Sequence, residues 1–410
     1  MIAAYGVREP LLRRWAVGLI ALLIATIPLE NVVVLATGSV TKLIGVAAFA
    51  LGVAALVQGP RLRVRPLPFF LVTAGLFVLW VILSYYWSWT PQYTLSRSVT
   101  YVQLLALAWV IWEYGGNETH RKVFMAAYLV GGYAAFALGF AAFAQAGENT
   151  RDLGAGFNAN DFAVALALGI PIAWRLASLA RGRWLYWFAL LYLPLALAGV
   201  VVAASRGGFI TALIALMVVP FTFSGLSVLR KLGLMVLLAA GLWTIFVYGP
   251  QMFPNLEANT TRIFQTTQEL REGTLTGRRE IWAAGWQVFA EEPYLGVGAG
   301  GYRFAIAPIY GRAITSHNAF MSVIVELGVG GLVLFLAMFA SILVPLLLSA
   351  RGPKFWYGVL LLLSLVVGIY SLSWEAAKAT WFVLALLATE VPWVAVLQAP
   401  AGERRLGRQL

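Results

Sequence analysis

About a dozen apolar segments, joined by short polar connections, run through this 410-residue chain, and only one connection is long. A helix needs about 20 apolar residues to cross a bilayer, so the segments use up most of the chain and leave no room for a separate soluble domain. A hydrophobic fraction of 61% with 11% charged residues agrees and excludes a soluble globular protein. The expected architecture is therefore all-α: a polytopic integral membrane protein with about 12 transmembrane helices. The expected spans are 15–36, 41–57, 67–86, 97–112, 122–146, 161–179, 184–203, 207–223, 228–249, 318–348, 355–371 and 379–397. The N-terminal apolar run is too long and too poorly bounded for a cleaved signal and reads as the first span.

The distribution of Lys and Arg sets the orientation. Of 29 such residues, eighteen fall in the segments that share a side with the N-terminus, among them Arg13, Arg61, Arg121, Arg175, Arg230, Lys354 and Arg404. Of the other eleven, six lie in the one long connection, where the rule has little force, so the short loops on that side hold five. Both termini are expected in the cytoplasm, and the long connection on the extracytoplasmic side. The chain then divides into residues 1–249 with nine spans, 250–317 as the long loop, and 318–410 with three spans and a cytoplasmic tail. The net charge of +12 follows from this topology and does not call for nucleic acid.

The long loop is structured in expectation. Trp282, Trp286 and Phe289 recur at helical spacing within Arg278–Glu292, which predicts an amphipathic helix that lies in the membrane interface or packs its aromatic face on the bundle. Pro293 stops it, and Gly296, Gly298, Gly300 and Gly301 follow. Such a glycine segment can cradle phosphate, although no strand–turn–helix context accompanies it. The loop closes on Thr315-Ser316-His317-Asn318, and His317 is one of two histidines in the chain, the other being His120 on the expected opposite side.

Candidate chemistry gathers on the outer side. His317 has an ordinary pKa close to neutrality and suits proton transfer. Arg206, in Ala204-Ser205-Arg206-Gly207-Gly208, joins two apolar spans almost without a loop; it either snorkels to the interface or faces a polar site. Arg278 and Arg279 open the amphipathic helix, as solvated surface groups or as a guanidinium fork for a diphosphate. Asn158, Asn160 and Asp161 open another span, as helix caps or as partners of sugar hydroxyls. Asn318 and Arg303 are further candidate sugar or acceptor contacts, and Glu326 lies inside a span and needs a partner. With no cysteine and only two aspartates, Asp152 and Asp161, there are no thiolate ligands and no Asp-x-Asp pair for a divalent metal. No metal and no cofactor is expected.

Taken in order, Asn158-x-Asn160-Asp161, Ser205-Arg206-Gly207, Thr276-Gly277-Arg278 with Ile281-Trp282, Pro293-x-x-Gly296-x-Gly298, and His317-Asn318 followed by Glu326-Leu327-Gly328-x-Gly330-Gly331 resemble the O-antigen ligase superfamily. The motifs cover residues 154–331. Ile210 stands where ligases often carry Leu four positions after the Arg, and Arg271 to Leu275 fits that pattern as well. Gly331 stands where some ligases have a second His, which leaves the proton chemistry to His317.

The resemblance implies a GT-C-like glycosyltransferase of the bacterial inner membrane, with its active site on the periplasmic side. It implies an undecaprenyl diphosphate-linked polysaccharide as donor and lipid A–core oligosaccharide as acceptor. His317 would be the base, and Arg206, Arg278 and Arg279 would bind the diphosphate. Two rivals are an O-antigen polymerase, with a second lipid-linked glycan as acceptor, and a transporter. Transporters place ionisable groups near the midplane of repeated halves, whereas these candidates gather on one face.

Overall fold

The structure, a computed structural model, describes residues 10–30, 37–58, 64–145, 158–180, 182–223, 225–252 and 277–390. These residues form helices and connecting turns without a strand. In chain order the helices are α1 (Leu11–Ala25), α2 (Thr37–Val57), α3 (Phe69–Leu83), α4 (Pro91–Gly115), α5 (Glu118–Gln145), α6 (Ala159–Leu179), α7 (Arg183–Val202), α8 (Arg206–Leu216), α9 (Val218–Thr222), α10 (Val228–Met252), α11 (Arg278–Glu291), α12 (Tyr302–Ala305), α13 (Ala307–Tyr310), α14 (Ala319–Leu348), α15 (Pro353–Tyr370) and α16 (Lys378–Glu390).

Among the described residues, eight stretches are long and apolar enough to cross a membrane: Leu11–Leu29, Phe69–Trp87, Pro91–Gly115, Glu118–Ala142, Ala159–Leu179, Arg183–Val202, Ala319–Leu348 and Pro353–Tyr370. Thr41–Val57 and Arg206–Thr222 are apolar but shorter. The chain is thus a polytopic membrane protein. Helices α10 and α16 occupy the two remaining segments expected to span, at 228–249 and 379–397. Several expectations lie outside the described residues: Arg8, Arg61, Asp152, Gly154 to Phe157, Arg262, Arg271, Thr276, residues 391–397 and the basic tail from Arg404 to Arg408.

Helix α6 is the central element. Its residues Phe162 to Ala173 are all buried, packed by α5, α7, α8 and α15. Small side chains make this possible, because without a hydrophobic drive between helices, close backbone approach supplies the van der Waals contact. A Cβ added at Gly208 of α8 would run into Ala163, and one at Gly169 would run into the Tyr192 ring of α7. Helices α14 and α16 pack on α3 and α4 respectively, which brings the C-terminal third of the chain against its N-terminal third.

Side-chain contacts fix the two ends of this bundle. At one end, Glu390 at the close of α16 pairs with Arg175 at 2.8 Å and Arg121 at 3.6 Å, and His120 Nδ1 lies 3.1 Å from the Tyr114 carbonyl. At the other end, the N-termini of α4, α6, α8, α11 and α14 gather around the α15–α16 connection. The two histidines therefore lie at opposite ends, about a membrane thickness apart, since α4 alone has 25 residues at about 1.5 Å each.

Candidate functional site

Three of the helices that begin at this second end do so through a backbone turn of positive φ. Ala204 (φ 48°) leads into α8, Gly277 (φ 69°) into α11, and His317 (φ 50°) into α14. Non-glycine residues seldom adopt this region, so Ala204 and His317 are held there by their surroundings. Ser205 caps α8, accepting from the Gly208 N–H at 3.1 Å and donating to Asn160 Oδ1 at 2.7 Å. Asn318 caps α14, accepting from the N–H groups of Phe320 and Met321 at 2.9 and 3.1 Å. Ser316 Oγ braces the same turn through Asn318 and the hydroxyls of Ser322 and Ser373.

The turns deliver Arg206, Arg278 and His317 to one place. Arg278 donates to the Ser371 carbonyl at 3.3 Å; its pKa is drawn below the ordinary value first by burial and then by the nearby charge of Arg206. The His317 imidazole is likewise pulled below its ordinary value, by burial and by the Arg278 charge. The shift favours the uncharged ring, the form able to accept a proton. Two guanidinium groups near enough to feel each other's charge, each at a helix N-terminus where orphan N–H groups and the helix dipole favour negative charge, can together hold an anion beside the imidazole.

The remaining candidates divide. Arg279, one residue on, is exposed. Asn158 caps α6 by accepting from the N–H groups of Asn160 and Asp161 at 2.9 and 3.4 Å. Asn160 holds Ser205, and Asp161 accepts from Trp374 Nε1–H at 2.9 Å. Asn160 and Asp161 thereby tie α6 to α8 and to the α15–α16 connection, and so set where Arg206 and Ser371 stand. Arg303 is exposed and lies over the Tyr93 and Phe304 rings at 5.2 and 4.6 Å.

Helix α11 splits its aromatic stripe. Its buried face is Ile281, Ala284, Gly285 and Val288, while Trp282 turns inward to donate to the Ser316 carbonyl at 2.8 Å and Trp286 stays half exposed. Trp282 and Phe289 thus flank the packing face, partly buried against the same cluster, while Trp286 points away; at the centre of that face Gly285 lets the Tyr302 hydroxyl come close, and a large ring would not fit there.

The glycine segment does not cradle phosphate, because an internal anion takes its amides. Glu326, 7% exposed, accepts from the Gly300 and Tyr302 N–H groups at 2.7 and 3.2 Å. Helix α14 breaks at Gly328 (φ 64°, ψ −168°), which frees carbonyls for outside donors. Val297 N–H reaches the Val325 carbonyl at 3.1 Å and Gly298 N–H the Glu326 carbonyl at 2.8 Å. Trp80 Nε1–H takes the Leu327 carbonyl at 3.0 Å.

Next to this interlock lies a cavity of about 380 Å³ whose walls include Arg97, Glu326 and Glu375. Burial raises the Glu375 carboxyl above its ordinary value; Arg97 opposes the rise, and Glu326 adds to it. Arg97 and Glu375 had no place in the sequence reading. The signal was available, since an Arg inside a span marks a functional position, but an expected span starting at residue 97 put Arg97 at its edge. Helix α4 begins at Pro91, nearly two turns earlier.

Residues 191–336 match the model of a family described as O-antigen ligase. The stretch contains Arg206, Arg278 and His317. Comparison with curated proteins gives no match.

Proposed function

We propose that this chain, which over residues 191–336 belongs to the O-antigen ligase family, transfers a polysaccharide from undecaprenyl diphosphate to lipid A–core on the periplasmic face of the inner membrane. The observation that carries the proposal is the convergence of Arg206, Arg278 and a neutral His317 at three helix N-termini. His317 takes the proton of an acceptor hydroxyl. That oxygen forms the new bond to the anomeric carbon as the bond to the diphosphate oxygen breaks, and the diphosphate leaves with the electron pair. Arg206 and Arg278 bind the diphosphate and stabilise its growing charge.

A single displacement inverts the anomeric centre and needs one base. The paired carboxylates of glycoside hydrolysis are not required. Nor is a metal, since the arginines do the work a divalent ion would do on a diphosphate. The surrounding membrane lipid delivers both lipid-anchored substrates to the same face.

Purified protein mixed with undecaprenyl diphosphate-linked glycan and lipid A–core tests the proposal. Glycan-bearing lipid A–core is expected. A lengthened donor with lipid A–core untouched would make the protein a polymerase. In a deletion strain, lipopolysaccharide should lose all attached polysaccharide; retention of one unit would point the same way as a lengthened donor.

A further inference from the structure

The cavity beside His317 is not needed to hold the diphosphate, which has Arg206 and Arg278. Its own wall balances two acidic side chains, Glu326 and Glu375, against Arg97 and Arg303, so it holds no excess positive charge to draw a diphosphate in. Glu326 already has backbone partners. Glu375 is different: it is 3% exposed, it lines the cavity, and its Oε2 has no hydrogen-bond partner among the described residues. A buried carboxylate oxygen left without a donor is costly, and a ligand that brings a donor relieves that cost.

The rest of the wall narrows the ligand class. Ser96, Thr100, Thr315, Ser316 and Ser373 contribute hydroxyls, which both donate and accept. At one edge the Tyr93 ring lies tilted by 35° against Phe304 at 4.2 Å between centroids, with Arg303 over both rings; the part of Tyr93 that stays exposed is an aromatic edge suited to the C–H groups of a sugar ring. A volume of about 380 Å³ falls in the range of small-molecule pockets, about 300–1,000 Å³. A hydroxyl-rich, uncharged ring matches every part: donors for Glu375, acceptors for Arg97, both for the serines.

Position decides which sugar. Thr315 and Ser316 line the cavity and directly precede His317, and Ser316 Oγ is 3.1 Å from Ser373 Oγ across the same wall. A ring held in the cavity touches Ser316, the residue that directly precedes the base.

We infer that the cavity walled by Tyr93, Arg97, Ser373 and Glu375 is the binding site of the acceptor sugar. This rests on the transferase reading above. Glu375 accepts from one sugar hydroxyl, Arg97 donates to another, and Tyr93 sets the ring plane so that a third hydroxyl faces His317.

The test separates acceptor from donor. Glu375→Gln, Tyr93→Ala and Ser96→Trp, a bulky residue at the exposed rim, are compared with wild type in detergent, titrating lipid A–core at fixed donor and the reverse. Each variant should raise the acceptor KM by roughly tenfold, the cost of one lost buried contact, with the donor KM and undecaprenyl diphosphate binding unchanged. A raised donor KM, or an unchanged acceptor KM in all three, overturns the assignment. Unchanged undecaprenyl diphosphate binding also certifies that a variant is folded.

Saturation-transfer NMR with delipidated core oligosaccharide, and separately with the free repeating unit, asks the same question without turnover. Binding of core oligosaccharide that disappears in Ser96→Trp supports the acceptor pocket; binding of the repeating unit alone, of neither glycan to wild type, or binding that survives Ser96→Trp, refutes it. If wild type transfers nothing in any mixture, the transferase reading fails while the binding result still judges the pocket.

Discussion

Gly296 and Gly328 meet backbone to backbone: a Cβ on Gly296 would lie 2.6 Å from the Gly328 nitrogen and 2.6 Å from the Glu326 carbonyl oxygen. Both residues have positive φ. The contact locks the turn after α11 into the break of α14, and that lock sets the height of the Glu326 carboxylate under Gly300 and Tyr302. Two motifs 32 positions apart in sequence are thereby one structural unit.

Alanine at either glycine should destabilise the fold, since overpacking typically costs about 1–3 kcal/mol and the Gly328 conformation is one that side chains rarely adopt. Gly352, with nothing near its missing Cβ, is the control. Thermal unfolding in detergent should fall clearly for Gly296→Ala and Gly328→Ala and stay near wild type for Gly352→Ala. Equal behaviour of all three would show that the lock carries no stability.

The helical segments and the outer cluster were legible in the sequence for different reasons. Apolar length alone reveals spans such as 161–179, because hydrocarbon imposes it. Arg206 and His317 stood out as ionisable groups next to apolar runs. Asn158 and Asn318 were ambiguous, since an amide before a helix serves equally as cap or ligand; the hydrogen bonds show that both make the cap. The Glu326 nest was hidden because a carboxylate and the amides it binds lie 24 and 26 positions apart. Arg97 and Glu375 were hidden because they meet only when α4 and the α15–α16 connection pack together.

His317 combines a base with a left-handed turn, and the two can be separated. Asn tolerates that conformation better than Ala, so His317→Asn should keep the α14 N-terminus intact while removing the base. Transfer should fall by roughly 10²–10⁴-fold with thermal stability little changed. A well-folded His317→Asn protein with near-wild-type transfer would rule out general-base catalysis here.

Replacement of either clamp arginine by Ala should cost about 2–4 kcal/mol of transition-state stabilisation. Lys should restore part of it, as a point charge in place of a planar fork. Binding of undecaprenyl diphosphate measured alongside kcat assigns the effect: unchanged binding and unchanged kcat in both Arg206→Ala and Arg278→Ala would exclude the clamp. The exposed Arg279 should tolerate Ala with a much smaller effect.

The pH dependence couples the base to the clamp. His317 must be neutral to accept a proton, so kcat/KM should fall as pH drops through its pKa in the free enzyme. Burial and the Arg278 charge both lower that pKa, which puts the acid limb below the ordinary imidazole value of about 6.5. Arg278→Gln removes the charge and leaves the burial, so the protonated imidazole is less disfavoured and the limb should move up in pH. Between the two limbs the variant is then more inhibited by acid than wild type, beyond its uniform loss of diphosphate binding. Profiles of kcat/KM for wild type and Arg278→Gln, taken with both substrates well below saturation, measure this. An acid limb that stays in place or moves down would show that His317 does not feel Arg278 and that the base and clamp are not neighbours in the working enzyme.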